Sequence, residues 1–186
     1  MSVVRHWGRI AVLAAGLLAL ALGSALAAPQ LGDPAPELDI RLLNGKLVKA
    51  SDVRGKVVLT MIWATWSPAA RMQLPDIQNL YAARRGRGLE VLALSIDERE
   101  SEVREFWRKR GYTMAVGMRS DAFFDRFGRV STTPTYYVVD RAGVLRHRIS
   151  GTIAPEKLAA LLEPLLAEPA PSERFAHHGA SRQGTR

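Results

Sequence analysis

The sequence predicts an α/β fold in which a mixed central sheet is flanked by helices and preceded by an N-terminal β-hairpin. Three observations predict it. Two apolar runs, a continuous one at residues 57–63 and a second at 89–96, have the length of strands covered on both faces, the situation of parallel neighbours inside a sheet. Each run is followed by a segment with helical start and stop signals. The chain then closes with strand, turn, strand and helix, an order that gives mixed rather than wholly parallel pairing.

Each element has its own local reason. Residues 29–36 form an extended lead-in punctuated by proline. Residues 38–42 and 46–48 flank Asn44-Gly45, a pair that suits a tight hairpin turn. Gly55-Lys56 introduces the first apolar run. Ser67-Pro68 then offers an N-cap hydroxyl and a proline at the first helical position. This helix is expected to reach about Arg85, with a kink at Pro75. Gly86-Arg87-Gly88 breaks it, and the second apolar run follows. Residues 100–110 are charged, with Val103, Phe106 and Trp107 on one stripe, and Gly111 ends that helix. Residues 112–116 suggest a short strand. Residues 121–127 suggest a short helix capped by Ser120 or Asp121. Strands at 135–139 and 144–149 are joined by the turn Asp140-Arg141-Ala142-Gly143, and an amphipathic helix at 155–167 closes the fold. There are no internal repeats.

The ends of the chain differ from its middle. Arg5 and Arg9 precede an apolar run at 10–22, and Ser24-Ala25-Leu26-Ala27 follows with small residues where a signal peptidase reads. This is the three-part pattern of an export signal. The run is too short for a comfortable membrane span of about 20 residues. The expected organisation is a signal at 1–27, one globular domain at 28–168 and a disordered polar tail at 169–186. After cleavage no stable membrane span is expected, and the location is exported, in a periplasm or beyond it. The formal charge of +8 falls by two, to +6, once Arg5 and Arg9 are removed. The basic residues are scattered among acids rather than gathered in an arm, so they read as a solvated surface and not as a nucleic-acid footprint.

Of 186 residues none is cysteine. That single count removes disulfides, thiolate nucleophiles, Cys-ligated zinc, iron–sulfur clusters and thiolate copper sites. The histidines of the mature chain are His147, His177 and His178. Two of them lie in the tail, and a lone pair lacks the closed ligand set of a structural metal site. Met61, Met72, Met114 and Met118 invite a copper reading, but core packing accounts for them better. Arg146-His147-Arg148 places two arginines on one strand face, where a solvated outer surface outweighs an anion site. Tyr136-Tyr137 and Phe123-Phe124 read as core and rim. No cofactor is expected.

Three motifs carry a family resemblance that spans residues 29–167. They are Gly32-Asp33-Pro34-Ala35-Pro36, the segment Trp63-Ala64-Thr65-Trp66-Ser67-Pro68-Ala69-Ala70-Arg71-Met72-Gln73-Leu74-Pro75, and Val130-Ser131-Thr132-Thr133-Pro134-Thr135 with the Asp-x-x-Gly turn beyond it. On these the chain resembles the redoxin superfamily (AhpC/TSA-like), and most closely the TlpA-like periplasmic thiol–disulfide oxidoreductases. The resemblance implies a thioredoxin-like fold. It also shows what this chain lacks. Ser67 stands at the nucleophilic cysteine, Ala70 at the resolving cysteine, Gln73 at a glutamate and Thr132 at a glycine.

The active family places its first thiolate at a helix N-terminus and releases a mixed disulfide with its second. Serine stays protonated at neutral pH and attacks poorly without a base, and Ala70 can resolve nothing. No residue is therefore assigned as catalytic. Pro134 matches the family's cis-proline, whose neighbouring backbone pairs with extended substrate peptides in active relatives. Trp66, Ser67, Thr133 and Pro134 are accordingly the candidate peptide-binding residues, and pairing through backbone needs no thiol. The expected partner is an extracytoplasmic polypeptide; oligomeric state is not legible. Two other readings stand beside a non-catalytic binding module: an oxidoreductase of the TlpA type with its cysteines replaced, and a metal or small-ligand carrier.

Overall fold

A computed structural model describes residues 28–171. The expected signal at 1–27 and the tail beyond Pro171 lie outside the described residues. The hairpin forms where Asn44-Gly45 predicts it. Strands β1 (Ile40–Arg41) and β2 (Leu47–Val48) pair antiparallel, with Ile40 opposite Val48. Gly45 turns the chain at φ +86°, and the Asn44 side-chain oxygen accepts from the Lys46 amide at 3.1 Å.

The remaining elements follow in order: β3 (Val57–Trp63), α1 (Pro68–Arg84), β4 (Leu89–Ser95), α2 (Glu100–Arg110), β5 (Ala115–Met118), α3 (Asp121–Phe127), β6 (Thr135–Val139), β7 (Leu145–Ser150) and α4 (Pro155–Ala167). Five strands form one sheet in the order β5-β4-β3-β6-β7. β4 lies parallel to β3, with Val57 beside Leu89 and Trp63 beside Ser95. β6 lies antiparallel on the other side, with Ile62 beside Thr135. This is the mixed sheet and N-terminal hairpin that the sequence predicts.

Period-2 alternation sorts the strand residues into two apolar layers. On one face Leu59, Met61, Trp63, Val91, Tyr136 and Val138 meet α1, α2 and α4 through Leu74, Ile77, Val103, Trp107, Leu158 and Leu162. On the other, Ile62, Leu94, Tyr137 and Leu145 meet Phe123 and Phe127 of α3 and the lead-in residues Ala35 and Leu38. Each fully buried side chain of Leu or Phe size contributes about 1.5–3 kcal/mol. Both layers are complete within residues 35–166.

Local signals set most boundaries. Ser67 and Ser120 cap α1 and α3, each hydroxyl accepting an amide N–H three residues on. Gly111 closes α2 at φ +66°. Pro75 lies inside α1. One strand is displaced: β5 occupies 115–118 rather than 112–116. The Gln78 side-chain oxygen accepts from the amides of Thr113 (2.8 Å) and Met114 (3.3 Å), and the Tyr112 ring packs edge-on against Trp107 at 5.0 Å. Those contacts consume the backbone donors a strand would need.

Both outer strands meet other parts of the chain. Leu43 N–H donates to Val116 at 2.8 Å, and Leu42 bridges to Gly117. At the opposite side Gly32 N–H donates to Leu145, and Leu145 N–H donates to Asp33. Arg141 ties three segments together by donating to the carbonyls of Gly55 (2.8 Å), Arg87 (2.7 Å) and Leu166 (3.1 Å).

Gly117 permits the hairpin's approach, because a Cβ there would lie 2.7 Å from the Arg41 carbonyl oxygen. Gly117→Ala is expected to destabilise the fold by about 1–3 kcal/mol, the usual range for overpacking. Urea denaturation measures that loss, and faster hydrogen exchange at the Leu43 amide reports release of the hairpin. Unchanged stability and exchange would show that the hairpin can move aside freely.

Candidate functional site

The site forms where β3 ends and α1 begins. Trp63, the last residue of β3, is buried, and its carbonyl accepts from the Ile96 amide at 2.9 Å. The chain then turns through Ala64, Thr65 and Trp66 to the cap residue. Ser67 has extended backbone (φ −87°, ψ 109°) and is only 5% exposed. Its Oγ accepts from the Ala70 amide and donates to the Thr133 carbonyl, both at 3.3 Å.

Antiparallel pairing of β3 with β6 brings Thr133 to this point. The Thr133–Pro134 peptide bond is cis. The Pro134 carbonyl accepts from the Gly151 amide at 2.8 Å, and Thr135 Oγ1 donates to the Thr132 carbonyl at 2.8 Å. The loop is thus tied to β7 on one side and closed on itself on the other. Of the four candidate binding residues, Ser67, Thr133 and Pro134 come together, Ser67 and Thr133 by a direct hydrogen bond. Trp66 stands beside them with 64% of its surface exposed, while Ala70 is wholly buried.

This arrangement does not support acyl-transfer chemistry. The Ser67 hydroxyl is engaged with two backbone groups, not with a base. His147 lies on β7 opposite Val138, part-buried. Burial first, and then the neighbouring Arg146 charge, hold its pKa below the ordinary histidine value. Among the described residues no group of three potential His, Asp or Glu ligands is placed to hold a metal ion.

Two supporting residues orient the site. Sequence reasoning missed Asp97, which is buried just past the end of β4. Its carboxylate accepts from the Thr65 amide (2.9 Å), the Thr65 hydroxyl (2.5 Å) and the Ser95 hydroxyl (2.5 Å). It fixes the turn that presents Trp66. The available signal was an acid directly after the strand that runs parallel beside the site-bearing one. Gln73, noted only as a departure from the family, uses one side-chain oxygen to accept from the Tyr136 hydroxyl (3.1 Å) and the Ile153 amide (2.9 Å). Burial, with a smaller push from Asp76, raises the Tyr136 phenol far above its ordinary pKa, so it stays a donor.

One expectation needs correction. Met72 is not core; it is 72% exposed on α1, whereas Met61 and Met114 are buried. The arginines of β7 are exposed, as expected, and also make specific contacts. Arg146 pairs with Asp140 at 2.8 Å and Glu168 at 3.4 Å. Arg148 lies over the Tyr137 ring at 5.4 Å and donates to the Arg129 carbonyl.

Comparisons with known proteins agree with this geometry. The family profile described as Redoxin matches residues 30–162. The thiol-disulfide oxidoreductase ResA of Geobacillus thermodenitrificans is 29% identical over 135 residues, covering 72% of this chain and 77% of the relative. ResA of Bacillus anthracis is 28% identical over 137 residues, covering 73% and 79%. Among solved structures, a thiol:disulfide interchange protein of the thioredoxin family from Chlorobium tepidum superposes with a TM-score of 0.69 at 22% identity, covering 75% of this chain and all of that one. At that identity the likeness shows the fold alone, and the fold is thioredoxin-like.

Asp97→Ala would leave the Thr65 N–H and hydroxyl without their acceptor. It is expected to cost about 2–3 kcal/mol, read by urea denaturation. Gln73 makes a finer prediction. Gln73→Ala should cost about 1–2 kcal/mol, whereas Gln73→Glu keeps the accepting oxygen and should stay close to the parent at neutral pH. Equal losses in the two variants would show that Gln73 acts through something other than that oxygen.

Proposed function

The chain belongs to the Redoxin family, and from that premise we propose that it is an exported, non-catalytic binding protein that holds an extended polypeptide segment at the degenerate site. The observation that carries the reading is the preserved cis Thr133–Pro134 loop beside an exposed Trp66, in a chain with no cysteine. The peptide-binding backbone of the family is kept while its redox groups are gone. Thr133 N–H and C=O supply strand-like pairing, and Trp66 supplies a broad apolar surface with little conformational entropy to lose. The Ser67 hydroxyl already donates to the Thr133 carbonyl, which keeps a second lone-pair direction for a ligand amide. Export rests on the signal pattern at 1–27.

Relatives named as thiol-disulfide oxidoreductases do not transfer their activity to this site. Thiolate attack and thiolate release each need a sulfur atom, and neither Ser67 nor Ala70 has one.

The test is cross-linking and affinity capture with the chain from Ala28 onward, in an extract of the compartment to which it is exported. Thr133→Arg serves as a control that fills the groove, after its melting temperature has been shown to match the parent. A polypeptide retained by the parent and reduced at least tenfold on the control supports the reading. Identical capture by both, or none by either, overturns it.

A further inference from the structure

The face of the sheet opposite α1, α2 and α4 holds a cavity of about 600 Å³. Leu38, Val58, Leu92, Phe123, Phe127 and Val139 contribute to its largely apolar lining. The cavity is distinct from the site at Ser67 and Thr133. Val58 lies near the start of β3, and the peptide-binding loop lies beyond its end.

We propose that the C-terminal segment after Pro171 docks in this cavity, with Phe175 as the seated side chain. Pro171, the last described residue, is itself part of the cavity lining. The path toward it is fixed by hydrogen bonds. Arg141 holds the Leu166 carbonyl, and Arg146 reaches Glu168. The Ala170 methyl lies 3.9 Å from where a Cβ on Gly55 would stand, and Gly55 is also a lining residue. The chain is therefore delivered onto the rim rather than away from it.

Residues 172–186 follow, and Phe175 is the only large apolar residue among them. Three residues lie between it and Pro171, so four steps along the chain give a reach of at most about 14 Å. That matches a space about 10 Å across if its volume is taken as a sphere. Burial of the ring in an apolar, concave lining is favourable for the same reason the core is. In the sequence Ser172, Glu173, Arg174 and the two histidines beyond Ala176 flank Phe175 with polar groups, leaving its ring as the one large apolar side chain the segment offers. The segment thereby becomes an internal occupant that any small apolar molecule must displace.

The cysteine-free chain makes a clean test possible. The protein from Ala28 to Arg186, carrying His178→Cys, takes a nitroxide label at one position only. Methyl NMR peaks of Val58, Leu92 and Val139 should lose at least half their height, while Leu74 and Leu162 on the opposite face keep theirs. Adding Phe175→Ser should restore the lost height. In parallel, the unlabelled chain from Ala28 to Arg186 should bind the apolar dye 1-anilinonaphthalene-8-sulfonate at least fivefold more weakly than a chain ending at Pro171, which retains both apolar layers. Peak loss spread over both faces, no loss, or loss that persists in Phe175→Ser would each overturn the proposal. So would equal dye binding by the two lengths, which would leave the cavity to an apolar ligand from solution.

Discussion

All seven side chains of strand β3 are buried. A strand in that position must be covered above and below and paired on both sides. Slipping its register by one residue would exchange the two layers, so the register is fixed. β4 on one side and β6 on the other inherit that register. The position of the site is then a consequence of direction. β3 points toward it and β6 points away from it, so the last residues of one strand lie beside the loop that precedes the other. Ser67 and Thr133 are 66 residues apart in sequence, yet they meet through that pairing.

What survives at the meeting point is a backbone geometry without the chemistry it serves in thiol-bearing relatives. A thiol at the start of a helix is stabilised as an anion. A hydroxyl there remains a donor and an acceptor. Ser67 uses both capacities internally, accepting from the first turn of α1 and donating to the loop before Pro134. The substitution turns a reactive position into a brace. Gln73 fits the same pattern, since its oxygen joins α1 to β6 and to the segment entering α4 without carrying a charge.

The sequence made the central strands legible, because burial on both faces leaves them mostly apolar, with only Thr60 in β3 and Glu90 and Ser95 in β4 to interrupt the runs. Caps were legible for a related reason: Ser67-Pro68, Ser120 and Gly111 act on backbone groups only a few residues away. Most of the failures involve partners distant in sequence. β5 starts later than expected because Gln78, some 35 residues earlier, captures the amides of Thr113 and Met114 just ahead of it. Asp97 was invisible because its importance depends on Thr65, a residue of a different strand's exit loop. Met72 looked like core by type, but its position on α1 turns it to solvent. The cavity could not be read at all, since the lead-in, the sheet and α3 enclose it only after folding.

The treatment of the outer strands has a consequence for how this molecule coexists with copies of itself at high concentration. β5 is only four residues long and is met by the segment around Leu42 and Leu43. β7 is met at Leu145 by the lead-in, and the rest of it carries the long side chains of Arg146 and Arg148, already engaged with Asp140, Glu168 and the Tyr137 ring. Neither border is a long, uncharged template onto which another molecule's strand could zip. Lateral addition of a foreign strand is therefore disfavoured at both borders of this open sheet.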